Sequence, residues 1–253
     1  MNYYALKTLF VKEVVRFSKV FLQTLLAPVI STLLFLIIFI HVLEGRMDVF
    51  PEVSYTQFLL VGLVMMAVIQ NAFANSSSSL IQSKITGNIV FVLLTPITPF
   101  EFFLGFVAAA MLRGLLVGLG VFLGAVWFVG LPVENIFVVL LFLMLSSGTL
   151  AALGVIAGLW AEKFDQMAGF QNFIITPLSF LSGVFYSIQS LPDFWRVVSV
   201  FNPFLYMVDG FRYGFFGHAD IHVAISFLVV LFFFILLSAI ALKLLKNGYK
   251  LRF

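Results

Sequence analysis

Few residues in this sequence are placed to do chemistry. His218 and His222 stand four apart with Asp220 between them, a spacing that would put both imidazoles on one helical face and suit a divalent metal. No third ligand follows at a fitting distance, so no metal site is expected. The chain has no cysteine, which removes disulfides, thiolate ligands and a Cys nucleophile. There is no H-E-x-x-H, and no Gly-Lys dipeptide from which a G-x-x-x-x-G-K-[ST] phosphate loop could be built. No Ser-His-acid set stands out. These absences leave no catalytic, cofactor-binding or metal residues to name. What remains is a set of polar side chains inside apolar runs. Asn71, Asn75, Ser76, Ser77, Ser78, Ser79 and Gln82 share one run. Gln171, Asn172, Thr176, Ser179 and Ser182 share another, with Pro177 freeing a backbone carbonyl. Arg113 lies alone in a third. Such groups must face protein or a water-filled cavity.

The elements that carry them follow from composition. Of 253 residues, 62% are hydrophobic and 10% charged, where a soluble domain carries about 25% charge. Thirty-three are Phe. An all-α polytopic membrane protein is expected, as a single domain over residues 1–253. Six runs are long enough to cross the hydrocarbon core: about 21–42, 55–80, 104–130, 136–160, 167–188 and 223–242. The first is too long for a cleaved signal peptide, and no small-residue cleavage site follows it. Lys7, Lys12, Arg16, Lys19, Lys84, Lys163, Lys243, Lys246, Lys250 and Arg252 fall on one side of the six spans. Arg46, Arg196 and Arg212 fall on the other, across the segments at 43–54, 131–135 and 189–222. The bias places both termini in the cytoplasm. The pI near 9.2 does not imply nucleic acid, because the basic residues are few and clustered at the two ends.

Three further segments carry structure of their own. Residues 3–20 read as an amphipathic interfacial helix, with Leu6, Phe10, Val14, Phe17 and Val20 in one stripe and Thr8, Lys12, Arg16 and Lys19 opposite. Glu13 breaks the stripe. Residues 83–101 hold a short apolar run, Ile89–Leu94, that Gly87 and Asn88 could open and Pro96 and Pro99 stop. An apolar helix exposed there wants a protein partner or the headgroup layer. Residues 161–166 form a compact charged turn. The 189–222 segment reads as two short outward-side helices rich in Phe and Tyr. Asn202 is a good N-cap for the second, Pro203 suits its first turn, and Asp209 and Arg212 are spaced to pair on one face. Gly114 with Gly118, Gly120 with Gly124, and Gly154 with Gly158 have helix-packing spacing.

Two strings in this sequence resemble the ABC-2-type permeases, the membrane subunits of exporters for polysaccharides, nodulation factors, drugs and related amphiphiles. One is Thr176–Gly217, with Pro177, Leu181–Ser182–Gly183, Leu191–Pro192, Asn202–Pro203, Tyr206, Arg212 and Gly217; Asp209 lies within it. The other is Leu93-Leu94-Thr95-Pro96-Ile97-Thr98-Pro99, which is similar to that family's coupling helix. The likeness covers essentially the whole chain. It implies six spans per subunit and a homodimeric channel in the bacterial inner membrane, among membrane lipids. Two copies of a separate ATP-binding cassette ATPase would dock beneath, so ATP and Mg would sit on that partner. It also implies coupling through Gly87, Asn88, Phe91, Leu93, Leu94, Thr95 and Pro96, with Glu162, Lys163 and Asp165 and the interfacial helix beside them. Spans one, two and five would line the path and the dimer contact, with Asn71, Asn75, Gln171, Asn172, Thr176 and Ser179 as path residues. Three other readings compete. A stand-alone channel or ion-driven carrier calls for intramembrane acids or an inverted repeat. A membrane-embedded enzyme on lipid-linked substrates calls for clustered acids or histidines. Neither pattern is legible. An ATP-coupled machine that signals or assembles would look the same in sequence.

Overall fold

The computed structural model describes residues 2–43, 53–127 and 129–250. Arg46, Arg252 and all but the edges of the expected 43–54 loop lie outside them. Among the described residues every regular element is helical: α1 Tyr3–Ser18, α2 Ala27–Leu43, α3 Tyr55–Ile85, α4 Ile89–Leu93, α5 Pro99–Ala125, α6 Ile136–Trp160, α7 Phe164–Phe170, α8 Thr176–Phe180, α9 Asp193–Val200, α10 Pro203–Phe216 and α11 Val223–Lys246. π-helical turns at Leu22–Leu26 and Gln171–Ile175 lead into α2 and α8. Each ends beside a proline, Pro28 or Pro177, whose missing N–H and bulky ring disfavour the ordinary ladder.

Local chemistry sets the helix starts. Ser54 and Gln57 form a capping box at α3. Thr98 and Glu101 do the same at α5, where Pro99 takes the first turn. Pro99 therefore opens the helix after the apolar run instead of stopping that run, and the third span runs from 99 to 125 where 104–130 is expected. Asn135 caps α6, and Asn202 caps α10, whose other end closes on Gly217 at φ +66°.

α3 is the core of the bundle. In its most apolar stretch 78% of residues are buried, against 50% for α5 and α6, 11% for α11 and 6% for the helix through α2. The glycine pairs explain how neighbours come close. A Cβ on Gly114 would stand 2.7 Å from the Val68 carbonyl, and one on Gly154 would stand 2.5 Å from that of Phe73, so α5 and α6 each meet the α3 backbone directly. Gly120 and Gly124 instead receive Val29 and Leu33 of α2. α10 and α11 pack against α6.

Among the described residues five helices are long and apolar enough to cross a membrane: Leu22–Val42, α3, α5, α6 and α11. The expected span at 167–188 differs. Its helical segment runs Phe164–Phe180, in pieces of 7, 5 and 5 residues. At 1.5 Å per residue that is roughly 25 Å, short of a ~30 Å core. The chain then turns at 181–187 with Gly183 at φ +73°. Antiparallel helices give the bundle two ends. One, the basic end, gathers α1, α4, the α6–α7 turn and the last turns of α3, α6 and α11. The other, the aromatic end, carries α9 and α10.

The stripe expected on α1 is also rotated. Leu9, Glu13 and Phe17 are buried, while Leu6, Phe10 and Val14 are half-buried and Val20 is exposed. α1 packs on α5, and Glu13 faces protein.

Candidate functional site

The polar half of α3 is mostly consumed by helix-to-helix bonds. The Ser76 hydroxyl donates to the Ala151 carbonyl of α6 at 2.8 Å. Ser79 donates to the Glu13 carboxylate, which also takes Lys12 at 2.9 Å and Arg16 at 3.2 Å. Arg16 Nη2 then donates to Asn75 Oδ1 at 2.8 Å and to its carbonyl at 3.1 Å. Arg113 is buried on α5 and donates to Asn71 Oδ1 at 3.1 Å, while Asn71 Nδ2 returns to the Ala67 carbonyl. A cavity of about 140 Å³ lies between α2, α3 and the turn after α8. Ser31, Thr32, Gln70 and Asn71 are its polar walls, and Phe180 and Phe185 close one side. Of the six residues expected on a path, Asn71 reaches this cavity. Asn75 is held by Arg16, and Ser179 donates to the Ile175 carbonyl of its own helix at 2.7 Å. Gln171 and Thr176 are half-buried and Asn172 is exposed, none of them against this cavity.

At the basic end, Gly87 at φ +73° turns the chain out of α3. α4 follows as a five-residue helix. Ile89 anchors it in the core, while Phe91 and Leu94 are 70% and 77% exposed and Val90 about half exposed. The Thr95 hydroxyl donates to the Val92 carbonyl at 2.6 Å, which ends the helix before Pro96. A groove of about 380 Å³ separates α4 from α1, with Tyr4, Thr8 and Lys12 facing Phe91, Val92 and Thr95. Glu162, Lys163 and Asp165 are exposed at the same end. Two lysines fix this turn. Lys84, buried in the last turn of α3, donates to the carbonyls of Gly158, Leu159 and Ala161 at 3.3, 2.8 and 2.6 Å, closing the end of α6. Lys250 donates to the Trp160 carbonyl at 3.1 Å and to Glu162 at 2.6 Å. That hydrogen bond holds the Glu162 carboxyl below its ordinary range and the Lys250 ammonium above its own.

At the aromatic end, Asn202 Nδ2 donates to the Leu178 carbonyl at 2.7 Å, tying α10 to α8. The Tyr206 hydroxyl donates to the Val200 carbonyl at 2.8 Å. Asp209 and Arg212 do not form the pair their spacing allows. Asp209 accepts from the N–H groups of Asp220 and Ile221 at 2.8 and 2.9 Å. Arg212 lies over the Phe58 ring, 3.5 Å from its centroid, and donates to the Val184 carbonyl at 2.9 Å. His218 and His222 share no helical face, because 217–222 is not helical. His222 caps α11 through Nδ1, and Asp220 accepts from the Ser187 hydroxyl and the Ile188 N–H. Among the described residues no group of acids and histidines could hold a metal.

The model of the ABC-2 type transporter family matches residues 4–216. The chain belongs to that family. The inner membrane transport permease YadH of Escherichia coli K12 is 38% identical over 248 residues, spanning 98% of this chain and 97% of that protein. Nodulation protein J of Rhizobium leguminosarum bv. viciae is 23% identical over 209 residues, 81% of this chain and 79% of that protein. Nodulation protein J of Rhizobium meliloti 1021 is 25% identical over 182 residues, 72% and 68% of the two.

In this ABC-2 permease, sequence reasoning passed over Ser31, Thr32 and Gln70 as cavity walls, and Lys84 and Lys250 as caps of α6. Ser31 and Thr32 carried a signal, being two hydroxyls in an otherwise apolar run. Lys84 carried none, because a lysine after a span reads as a loop charge.

Proposed function

We propose that this permease is the membrane-spanning subunit of an ATP-binding cassette exporter in a bacterial inner membrane. Both termini lie in the cytoplasm, and the basic end is the cytoplasmic end. Two copies form the path, and two copies of a separate ATPase subunit, which carry the ATP and Mg, dock beneath them. The observation that carries the reading is α4. Its exposed apolar residues lie at the same end of the bundle as the charged 162–165 turn, an end rich in Lys, and an apolar surface there calls for a protein partner. The exposed apolar faces of α2 and of 164–180 support a second copy, since both flank the cavity that holds Asn71, Gln70, Ser31 and Thr32. The substrate is amphiphilic or bulky, in keeping with a path that offers hydroxyls, amides and aromatic rings without charge pairs.

ATP-driven closure of the partner subunits would move α4 as a rigid lever. α4 is anchored through Ile89 and joined to α3 by the Gly87 turn and to α5 by the Thr98 cap, so its shift reaches both helices of the core. The test is co-purification from native membranes. A stoichiometric ATPase partner is expected with the native chain and lost with Leu93→Asp/Leu94→Asp. Leu94 points outward, so the variant should still extract and elute as the native chain does. Arrival of the chain alone after mild extraction would overturn the reading.

A further inference from the structure

Between α1 and the last two turns of α3, a half-open cavity of about 220 Å³ faces outward at the basic end. Lys12 and Arg16 line it from α1, Gln82 and Ser83 from α3, and Asn88 from the turn into α4. Ser79 and Thr86 also line it, with their hydroxyls spent on Glu13 and on the Gln82 carbonyl, while the other donors are largely unspent among the described residues. Lys12 gives one bond, to Glu13, of the three an ammonium can make. Arg16 uses Nε and Nη2 and leaves Nη1 free. The Ser83 hydroxyl and the side-chain amides of Gln82 and Asn88 bond to none of the described residues. Glu13 offsets part of this charge through its ion pairs with Lys12 and Arg16 and leaves the cluster net cationic, and it adds no carboxylate to the cavity wall. It is fully buried and turned inward, with Lys12, Arg16 and Ser79 on its oxygens. The cavity thus offers two cations and three neutral donor groups with no carboxylate in its wall.

We infer that this cavity binds the phosphate group of an anionic phospholipid from the leaflet around the basic end. Phosphate oxygens accept charge-assisted bonds from Lys and Arg, and basic pockets between helices at headgroup depth hold such lipids. α1 suits that source over a soluble one, because Val11 and Val15 stand exposed among its basic residues and give acyl chains a surface. A bound phosphate would join α1 to Asn88, at the start of α4. The inference rests on the cavity alone and stands apart from the exporter reading.

The test uses the full chain in phosphatidylcholine nanodiscs, titrated with a short-chain phosphatidylglycerol and read by native mass spectrometry and by the shift in melting temperature. One saturable phosphatidylglycerol per chain is expected. Its apparent affinity should fall about tenfold in Lys12→Gln, through loss of a charge-assisted bond, and a few-fold in Ser83→Val, through loss of a neutral one. Neither change touches the Arg16–Asn75 bonds, so both variants should elute as the native chain does. Displacement by millimolar inorganic phosphate, with no preference for the lipid, would keep the phosphate site and overturn its lipid source. Binding that is non-saturable, or equal in native chain and both variants, would overturn the site.

Discussion

Glu13 shows how one residue can reset a whole helix. By periodicity it is a fault in an apolar stripe. In the fold it is the buried acceptor that draws α1 onto α3, with Arg16 passing from Glu13 to Asn75. Removing it leaves Arg16 and Ser79 short of their acceptor. Glu13→Ala should lower stability by about 1–3 kcal/mol, the range for stranding buried polar partners, whereas Ser79→Ala should cost about 1 kcal/mol. Thermal unfolding of the detergent-solubilised chain checks both; equal melting temperatures for native chain and Glu13→Ala would contradict the assignment. Arg212 works similarly at the far end. It is fully buried, pinning the 181–187 turn through Val184 while its plane covers Phe58.

At the scale of elements, helices approach where side chains are absent. The α3–α6 crossing depends on Gly154, whose added Cβ would meet the Phe73 carbonyl, a backbone atom that cannot swing aside. Gly154→Ala should therefore destabilise by roughly 1–3 kcal/mol through overpacking. Gly169, inside α7 with nothing within 4 Å of an added Cβ, is the contrast. Gly169→Ala should be neutral or stabilising by up to about 1 kcal/mol, and comparing the two melting temperatures separates crowding from helix propensity. The tail beyond α11 is tied on by Lys250 and Glu162. The Glu162 carboxyl is depressed in the fold, so its contribution is present above the ordinary value of 4.5 and lost as pH falls through the lower folded value. The Lys250 ammonium is raised, so its contribution is present below 10.5 and lost as pH rises through the higher folded value. Protease protection of the tail should therefore be flat across neutral pH and be lost progressively as pH falls below the ordinary carboxyl value of 4.5. Glu162→Gln should abolish that acid-side step.

For the molecule as a whole, burial is uneven. α3 is enclosed on nearly all sides, yet α2 and the 164–180 segment present their side chains outward. Lipid can cover such faces, and so can a second copy. The two differ in an experiment that the cysteine-free sequence makes clean. Ile38→Cys, on the 56% exposed face of α2, should cross-link chain to chain in native membranes under mild oxidation if copies pair there. A cysteine at Leu228 on α11, also exposed at 62%, should cross-link far less. Comparable yields at both positions would refer the α2 face to lipid.

What the sequence determined alone rests on sums and on strictly local chemistry. Hydrophobic content and run length demanded helices that cross a membrane, since a buried backbone in hydrocarbon must satisfy itself. Asn202–Pro203 started α10, and Pro96 bounded α4, because caps and prolines act within one turn. The glycine pairs announced close packing. Which helix each pair meets, however, was decided in three dimensions, as were the carbonyls that Lys84 closes, the divergence of Asp209 and Arg212, and the inward turn of Glu13. Each depends on the rotation of one helix against another. A one-dimensional period averages over that angle, and only the packed bundle fixes it. The 164–180 segment makes the same point for length. Its apolar run continues to 188, but the contacts of Val184 and Phe185 with Arg212 and Phe39 hold the chain in a turn where hydropathy alone would extend the helix.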